Sequence, residues 1–307
     1  MSAIVHKSSV IFHADHLGTK RVFKFPKFKD EMYLIDFELA IYKQTNHRAF
    51  SLFNDEISID SSGKFFVLKE TPDLIIPIKN NFKYPSNMHG LSGPRNENLV
   101  TLDIYIKTLP IYKVANIFRR VFLVLDEVFC QFNFTHGDFK QDNILIDKVT
   151  DEIYFIDFEF SIIHSTDKTF VDGNVTPIDR YLYLPRGSYV TKDFAHLFDV
   201  FLFTVSLKNS INDLYQLLNA CEELIMNYGF DSAPSFTRFY VLYKTMFLEE
   251  IVLKDKEGHC YVPFNHLYYI LGMQFITCSP ELKRKHDEMM EIMTQMKVLN
   301  DKTLQKN

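Results

Sequence analysis

Tryptophan is absent from this chain of 307 residues, glycine occurs only 10 times and cysteine four times. So few glycines exclude collagen-like and glycine-rich low-complexity designs. The cysteines, Cys130, Cys221, Cys260 and Cys278, are scattered with no C-x-x-C pair. Neither a disulfide framework nor a cysteine-based zinc module is expected from them; reduced, buried thiols are. Positive charge is not in excess either: 34 Lys plus Arg face 39 Asp plus Glu, a formal net charge of −5. That makes the chain a poor candidate for a nucleic-acid binder that works by neutralising phosphates, and no specific nucleic-acid binding is expected. No apolar run reaches the roughly 20 residues that span a bilayer. The longest, Phe194 to Leu207, is interrupted by His196 and Asp199. The N-terminal Met1 to Val10 carries His6 and Lys7 and no apolar h-region, so no signal peptide is expected there. An intracellular, cytoplasmic protein without a membrane partner is the expectation.

What the chain does have is apolar mass: 47% hydrophobic against 24% charged residues, with 30 Phe and 16 Tyr. Such a composition folds, and this length supports one large domain or two lobes. Ser9 to His13, Arg21 to Phe25, Lys64 to Leu68 and Leu99 to Ile106 read as strands, with a turn over Ala14 to Lys20. Asp30 to Gln44 carries Leu34, Phe37 and Ile41 at helical spacing, with Asp30 near its N-cap. Asn80 to Asn98, rich in Pro, Gly, Ser and Asn, reads as a long surface loop. From Ile111 the pattern turns helical. Val114, Phe118, Val121, Leu125, Val128 and Phe132 form a stripe that Ile117 and Val124 widen, as in a helix at the centre of a lobe. Further helices are predicted over Phe194 to Lys208, Ile211 to Tyr228 and Phe236 to Val252, and from Pro280 onward. The order predicts an α+β protein with a strand-rich part followed by a larger helical one.

The chemistry concentrates in His136-Gly137-Asp138-Phe139-Lys140-Gln141-Asp142-Asn143-Ile144-Leu145-Ile146-Asp147, followed by Ile153-Tyr154-Phe155-Ile156-Asp157-Phe158-Glu159. A polar loop is bounded by the apolar helix and a short apolar strand, and a second apolar strand ends in an acidic residue. Asn143 and Asp157 are hard oxygen ligands of the kind Mg²⁺ on phosphates prefers. Asp138 beside Lys140 can orient a hydroxyl nucleophile while the cation meets the charge of a transferring phosphoryl group. This segment resembles the catalytic loop of the protein-kinase superfamily, H-R-D-x-x-x-x-N, and its following D-F-G segment.

The resemblance implies a two-lobed fold, with a strand-rich N-lobe over residues 1–107, a mainly helical C-lobe over 108–307, and the active site between them. It makes Asp138 the catalytic base, Lys140 the contact to the γ-phosphate, and Asn143 and Asp157 the Mg²⁺ ligands. It also implies a strand lysine on the ATP phosphates paired to a helix glutamate. Lys24, in Arg21-Val22-Phe23-Lys24-Phe25, fits the first and Glu38 the second, with Glu31 as its rival. Leu99 to Lys107 resembles the strand leading into the interlobe hinge, so the backbone of Asp103 and Tyr105 would face adenine; Lys69 to Thr71 is the second choice. Asp199, or else Asp193, would brace the catalytic loop.

Four features depart from the family pattern. No G-x-G-x-x-G precedes Lys24: Gly18 is the only glycine upstream, and Lys7-Ser8-Ser9 the only small-residue turn before it. Gly137 replaces the usual Arg, which removes the partner of a phosphorylated activation segment. Glu159 stands in place of the D-F-G glycine. A-P-E is unrecognisable, with Leu184-Pro185-Arg186-Gly187 the nearest candidate. The implied activity is ATP- and Mg²⁺-dependent transfer of the γ-phosphoryl group to Ser or Thr of a protein substrate, in a divergent kinase of viral or parasite type. Transfer to a small molecule, as in choline and aminoglycoside kinases, and a catalytically silent binding module are the alternatives.

Overall fold

The computed structural model describes residues 2–5, 9–16, 19–28, 31–53, 55–62, 65–69, 75–77, 88–165, 168–171, 188–207, 213–248, 253–254 and 260–261. Along the chain, β1 (Ser2–Val5), β2 (Ser9–His16) and β3 (Thr19–Pro26) lead to helix α1 (Met32–Gln44). Next come β4 (Asp55–Ile59), β5 (Phe65–Leu68), β6 (Ile75–Pro77), β7 (His89–Pro94) and β8 (Leu99–Thr101), then α2 (Leu102–Ile106) and α3 (Ile111–Phe132). The short strands β9 (Phe134–Thr135), β10 (Ile144–Asp147), β11 (Ile153–Phe155), β12 (Ile162–Ile163), β13 (Lys168–Val171) and β14 (Ser188–Thr191) follow. Helices α4 (Lys192–Ser206), α5 (Leu214–Tyr228) and α6 (Pro234–Leu248) precede the strands β15 (Leu253–Lys254) and β16 (Cys260–Tyr261). The result is an α+β fold of antiparallel sheets and helices.

These elements group into two units. One comprises Met1–Leu102 with Asp142–Glu159, the other Asp103–Gln141 with Phe160–Asn307. The segment Asp142–Glu159 therefore joins the N-terminal strands in space although it follows the long helix in sequence. Its strand β10 pairs with both β8 and β11.

In the first unit seven antiparallel strands run in the order β1-β2-β3-β7-β4-β5-β6. Alternation along β3 places Phe23 and Phe25 on one face, in a cluster with Val10, Ile57, Ile59, Phe66 and Met88. Val22 lies on the other face, in a cluster that includes Ile35 and Leu39 of α1, Leu52, Phe53 and Leu91. Leu145, Tyr154 and Ile156 pack against this second cluster. Lys24 shares the face of Val22 by the period of two, so α1 covers it.

Three sequence expectations change here. The turn over Ala14 to Lys20 is mostly strand, since the β2–β3 ladder continues to His16 opposite Thr19; Gly18 lies outside the described residues. The loop over Asn80 to Asn98 contains β7, inserted between β3 and β4. Its glycines signal close packing of chains: a Cβ at Gly90 would stand 2.4 Å from the Lys24 carbonyl oxygen. The strand over Leu99 to Ile106 stops at Thr101, and α2 follows. Leu102 and Ile106 are buried while Ile104 between them is exposed, as a helical turn allows and strand alternation, which would put all three on one face, does not.

The described part of the second unit is mainly helical. α3 buries Val114, Ile117, Phe118, Val121, Val124, Leu125 and Val128, the stripe the sequence marks. Phe118 and Phe122 of α3 meet Phe203 of α4 at 5.2 and 4.9 Å, and Phe122 stacks on Phe239 of α6 at 5.2 Å. Ring-on-ring contacts of this kind tie α3, α4 and α6 together. Among the described residues no helix is long and apolar enough to cross a membrane. Asp30, the helix from Pro280, Cys278 and Leu184 to Gly187 lie outside the described residues, as does the Lys7-Ser8 turn.

Candidate active site

Lys24 is 6% exposed. A buried ammonium needs paired charge, because desolvation alone would neutralise it. It has two partners: Glu38 Oε1 at 2.5 Å and Asp157 Oδ1 at 2.9 Å. Burial acts against the charged form, but the attraction of Glu38 and then Asp157 outweighs it and holds Lys24 above its ordinary value. Glu38, 2% exposed in the middle of α1, is pushed up to about 7 by burial, with the second carboxylate opposing the help of Lys24. One cation thus serves two carboxylates. Glu31, the rival of Glu38, accepts a hydrogen bond from the Phe28 backbone at 3.3 Å, at the surface.

Asp157 follows β11 with φ +69°, a left-handed conformation that Asp tolerates better than bulky residues. Phe158 is wholly buried. Its ring meets Tyr42 edge-on at 5.1 Å and Phe50 at 5.2 Å. This packing holds the end of the hairpin and with it the Asp157 carboxylate. Asn143 is buried at the start of β10, and its carbonyl oxygen accepts from Ile156 N–H at 3.0 Å. Lys24, Glu38, Asn143 and Asp157 all belong to the first unit.

Asp138 and Lys140 belong to the second unit. The Lys140 ammonium donates to Asp138 Oδ2 at 2.7 Å, and both side chains are partly exposed. The backbone before them is held from below. Asp199, fully buried in α4, accepts from His136 N–H at 2.6 Å and Gly137 N–H at 2.8 Å. Burial pushes its carboxyl up to about 7; the two N–H donors oppose this and the nearby Asp138 charge adds to it. Ser161 donates to the His136 carbonyl at 2.9 Å. Gly137 has φ +79°, and a Cβ there would stand 2.1 Å from the Phe160 carbonyl oxygen. A larger residue is sterically refused there, which explains the glycine. Phe139 is fully buried and lies 5.8 Å from Phe203, so the loop is pinned between its two polar residues.

Asp103 and Tyr105 are within α2, not on an extended hinge, and Asp103 pairs with Lys107 at 3.7 Å along the helix surface. Lys69, in the second-choice hinge, pairs with Glu56 at 2.9 Å. Of the two bracing candidates the structure uses Asp199; Asp193 stands in the first turn of α4. Sequence patterns did not single out Tyr42 or Ser161. The four-residue spacing of Tyr42 from Glu38 was the available signal for the first. Among the described residues no group of three or more His, Cys, Asp or Glu could hold a metal ion. No protein-family model matches the chain, and no curated protein is significantly similar to it in sequence.

Proposed function

We propose that the chain is an ATP-dependent phosphotransferase of the protein-kinase type, passing the γ-phosphoryl group to a Ser or Thr hydroxyl of a protein substrate. The observation that carries this reading is the buried Lys24 ammonium, ion-paired at once to Glu38 of α1 and to Asp157, 133 residues away in sequence. A buried cation with a carboxylate on each side is costly for a structural role, since an apolar residue would pack there more cheaply. It suits a phosphate site, where the ammonium turns from a carboxylate to the polyphosphate.

In this reading Lys24 holds the α- and β-phosphates while Glu38 keeps its ammonium in place. Asp157, its side chain 30% exposed, and Asn143 supply a carboxylate and an amide oxygen. That hard, oxygen-only donor set fits Mg²⁺ with phosphate oxygens completing the shell. The chemistry a bound Mg²⁺ supplies is neutralisation of charge on the β- and γ-phosphates. Asp138 accepts the hydroxyl proton as the new O–P bond forms and the bond to the β-phosphate oxygen breaks, releasing ADP. Lys140, held at Asp138, meets the charge on the transferring group. An intracellular setting belongs to the same reading; of the thiols expected to be buried, Cys221 is and Cys130 is exposed.

Incubation with γ-labelled ATP, Mg²⁺ and a panel of acidic and basic proteins, choline and an aminoglycoside tests the proposal. Label is expected on protein. Asp138→Asn is expected to lower transfer by about 10²–10⁴-fold while Mg·ATP still raises the melting temperature, and Asp157→Ala to abolish transfer. Near-normal transfer by Asp138→Asn would overturn the assignment of the base. Label on choline or the aminoglycoside alone would mean a small-molecule enzyme. No transfer and no thermal shift would mean a binding module.

A further inference from the structure

Two buried polar atoms beside the Lys24 cluster have no hydrogen-bond partner among the described residues: Oε2 of Glu38 and the hydroxyl of Tyr42. Such atoms are rare in folded proteins, because each forfeits its bond to water without replacement. Here they stand four residues apart on α1, hence on one face. Side chains on a helix lean toward its N-terminus, which carries the ring of Tyr42 over the turn that bears Glu38. Phe158 at 5.1 Å and Phe53 at 6.0 Å hold that ring. A phenol has a proton to give and a carboxylate oxygen accepts one. Burial, with the Glu38 and Asp157 charges adding, pushes the Tyr42 hydroxyl well above its ordinary value, so it keeps that proton.

We propose that Tyr42 is a positioning residue for the Lys24–Glu38 pair, its hydroxyl donating to Glu38 Oε2 through one buried water. Lys24 already occupies Oε1. With both oxygens engaged, the carboxylate cannot rotate away, and the ammonium stays placed between Glu38 and Asp157. The same ring rests on Phe158, the neighbour of Asp157, so a single side chain fixes the glutamate and the hairpin end together. Phenylalanine would give the ring contacts equally well; only the hydroxyl serves the carboxylate. The effect on nucleotide binding rests on the function proposed above, whereas the hydrogen bond itself does not.

A double-mutant cycle of Tyr42→Phe and Glu38→Ala, read by chemical denaturation and by the Kd for Mg·ATP, tests this. In the ligand-free chain Tyr42→Phe is expected to raise the unfolding constant about tenfold. In the Glu38→Ala background that effect disappears, because the hydroxyl there has no acceptor to lose. The Kd for Mg·ATP is expected to rise about tenfold with Tyr42→Phe alone, with no further rise when it is added to Glu38→Ala. Glu38→Leu, which fills the space without an acceptor, replaces Glu38→Ala if the latter does not fold. Additive effects on unfolding would overturn the hydrogen bond. A coupled cycle with unchanged Kd in Tyr42→Phe would overturn the positioning role. Failure of the wild type to bind Mg·ATP, with unfolding still coupled, would leave the hydrogen bond standing and overturn the functional reading.

Discussion

Asp199 is the residue on which the Asp138 loop rests, and its energetics are pH-dependent. Its carboxyl, ordinarily near 3.8, is pushed up to about 7 by burial. Between these values the folded chain binds the proton more tightly than the unfolded chain, so the contribution of this group to stability is full below about pH 4 and lost as pH rises through about 7. Asp199→Asn removes that dependence. It also turns an amide NH₂ toward one of two backbone N–H donors, leaving a buried donor unpaired. The variant is expected to be less stable by about 1–3 kcal/mol at pH 5, with the gap narrowing toward pH 8. Urea denaturation at the two pH values reads both effects, and a gap that widens with pH would contradict the assignment. Asp193→Asn, at the helix N-terminus, is the control.

Among the elements, the short loop between β9 and β10 draws its rigidity from α3 and α4. Phe139 inserts between the polar groups Asp138 and Lys140 into rings that include Phe122, at 6.4 Å, and Phe203, at 5.8 Å. Truncating such a ring removes burial and leaves a cavity that close-packed neighbours cannot refill. Phe139→Ala is accordingly expected to cost about 3–5 kcal/mol and, where the chain still folds, to lower phosphoryl transfer more than Mg·ATP affinity, because Lys24 and Asp157 belong to the other unit. Melting curves and single-turnover assays measure the two. Helix α3 was legible along the chain because its stripe is a local pattern at helical spacing. Strand β7 was not: its glycines read as loop signals, and only the nearness of the Lys24 and Leu52 carbonyls shows why no side chain fits at Gly90 and Gly93.

For the whole molecule, the discontinuous first unit has a consequence for truncation. A fragment of residues 1–107 retains the seven strands and α1 but loses Leu145, Tyr154 and Ile156, which pack on the Ile35–Leu39 cluster, and Phe158, which packs on Tyr42 and Phe50. It also loses Asp157, leaving Lys24 with Glu38 alone. The fragment is expected to show no cooperative thermal transition by circular dichroism, and a Gly/Ser linker joining residue 102 to residues 142–159 is expected to restore one. Cooperative melting of the bare fragment would show that the hairpin is dispensable to the unit. Within the sequence itself lay the α+β composition, the central helix, the polar loop with Asp138, Lys140 and Asn143, the strand leading to Asp157, and Lys24 ahead of a helix. Each is a pattern of neighbouring residues, set by alternation, helical period or spacing. Tertiary structure decided which glutamate meets Lys24, which aspartate braces the loop, that Asp103 and Tyr105 are helical, and that Tyr42 stands beside Glu38. Those choices depend on burial and on partners far away along the chain, and a buried charge accepts only the partner that folding brings within reach.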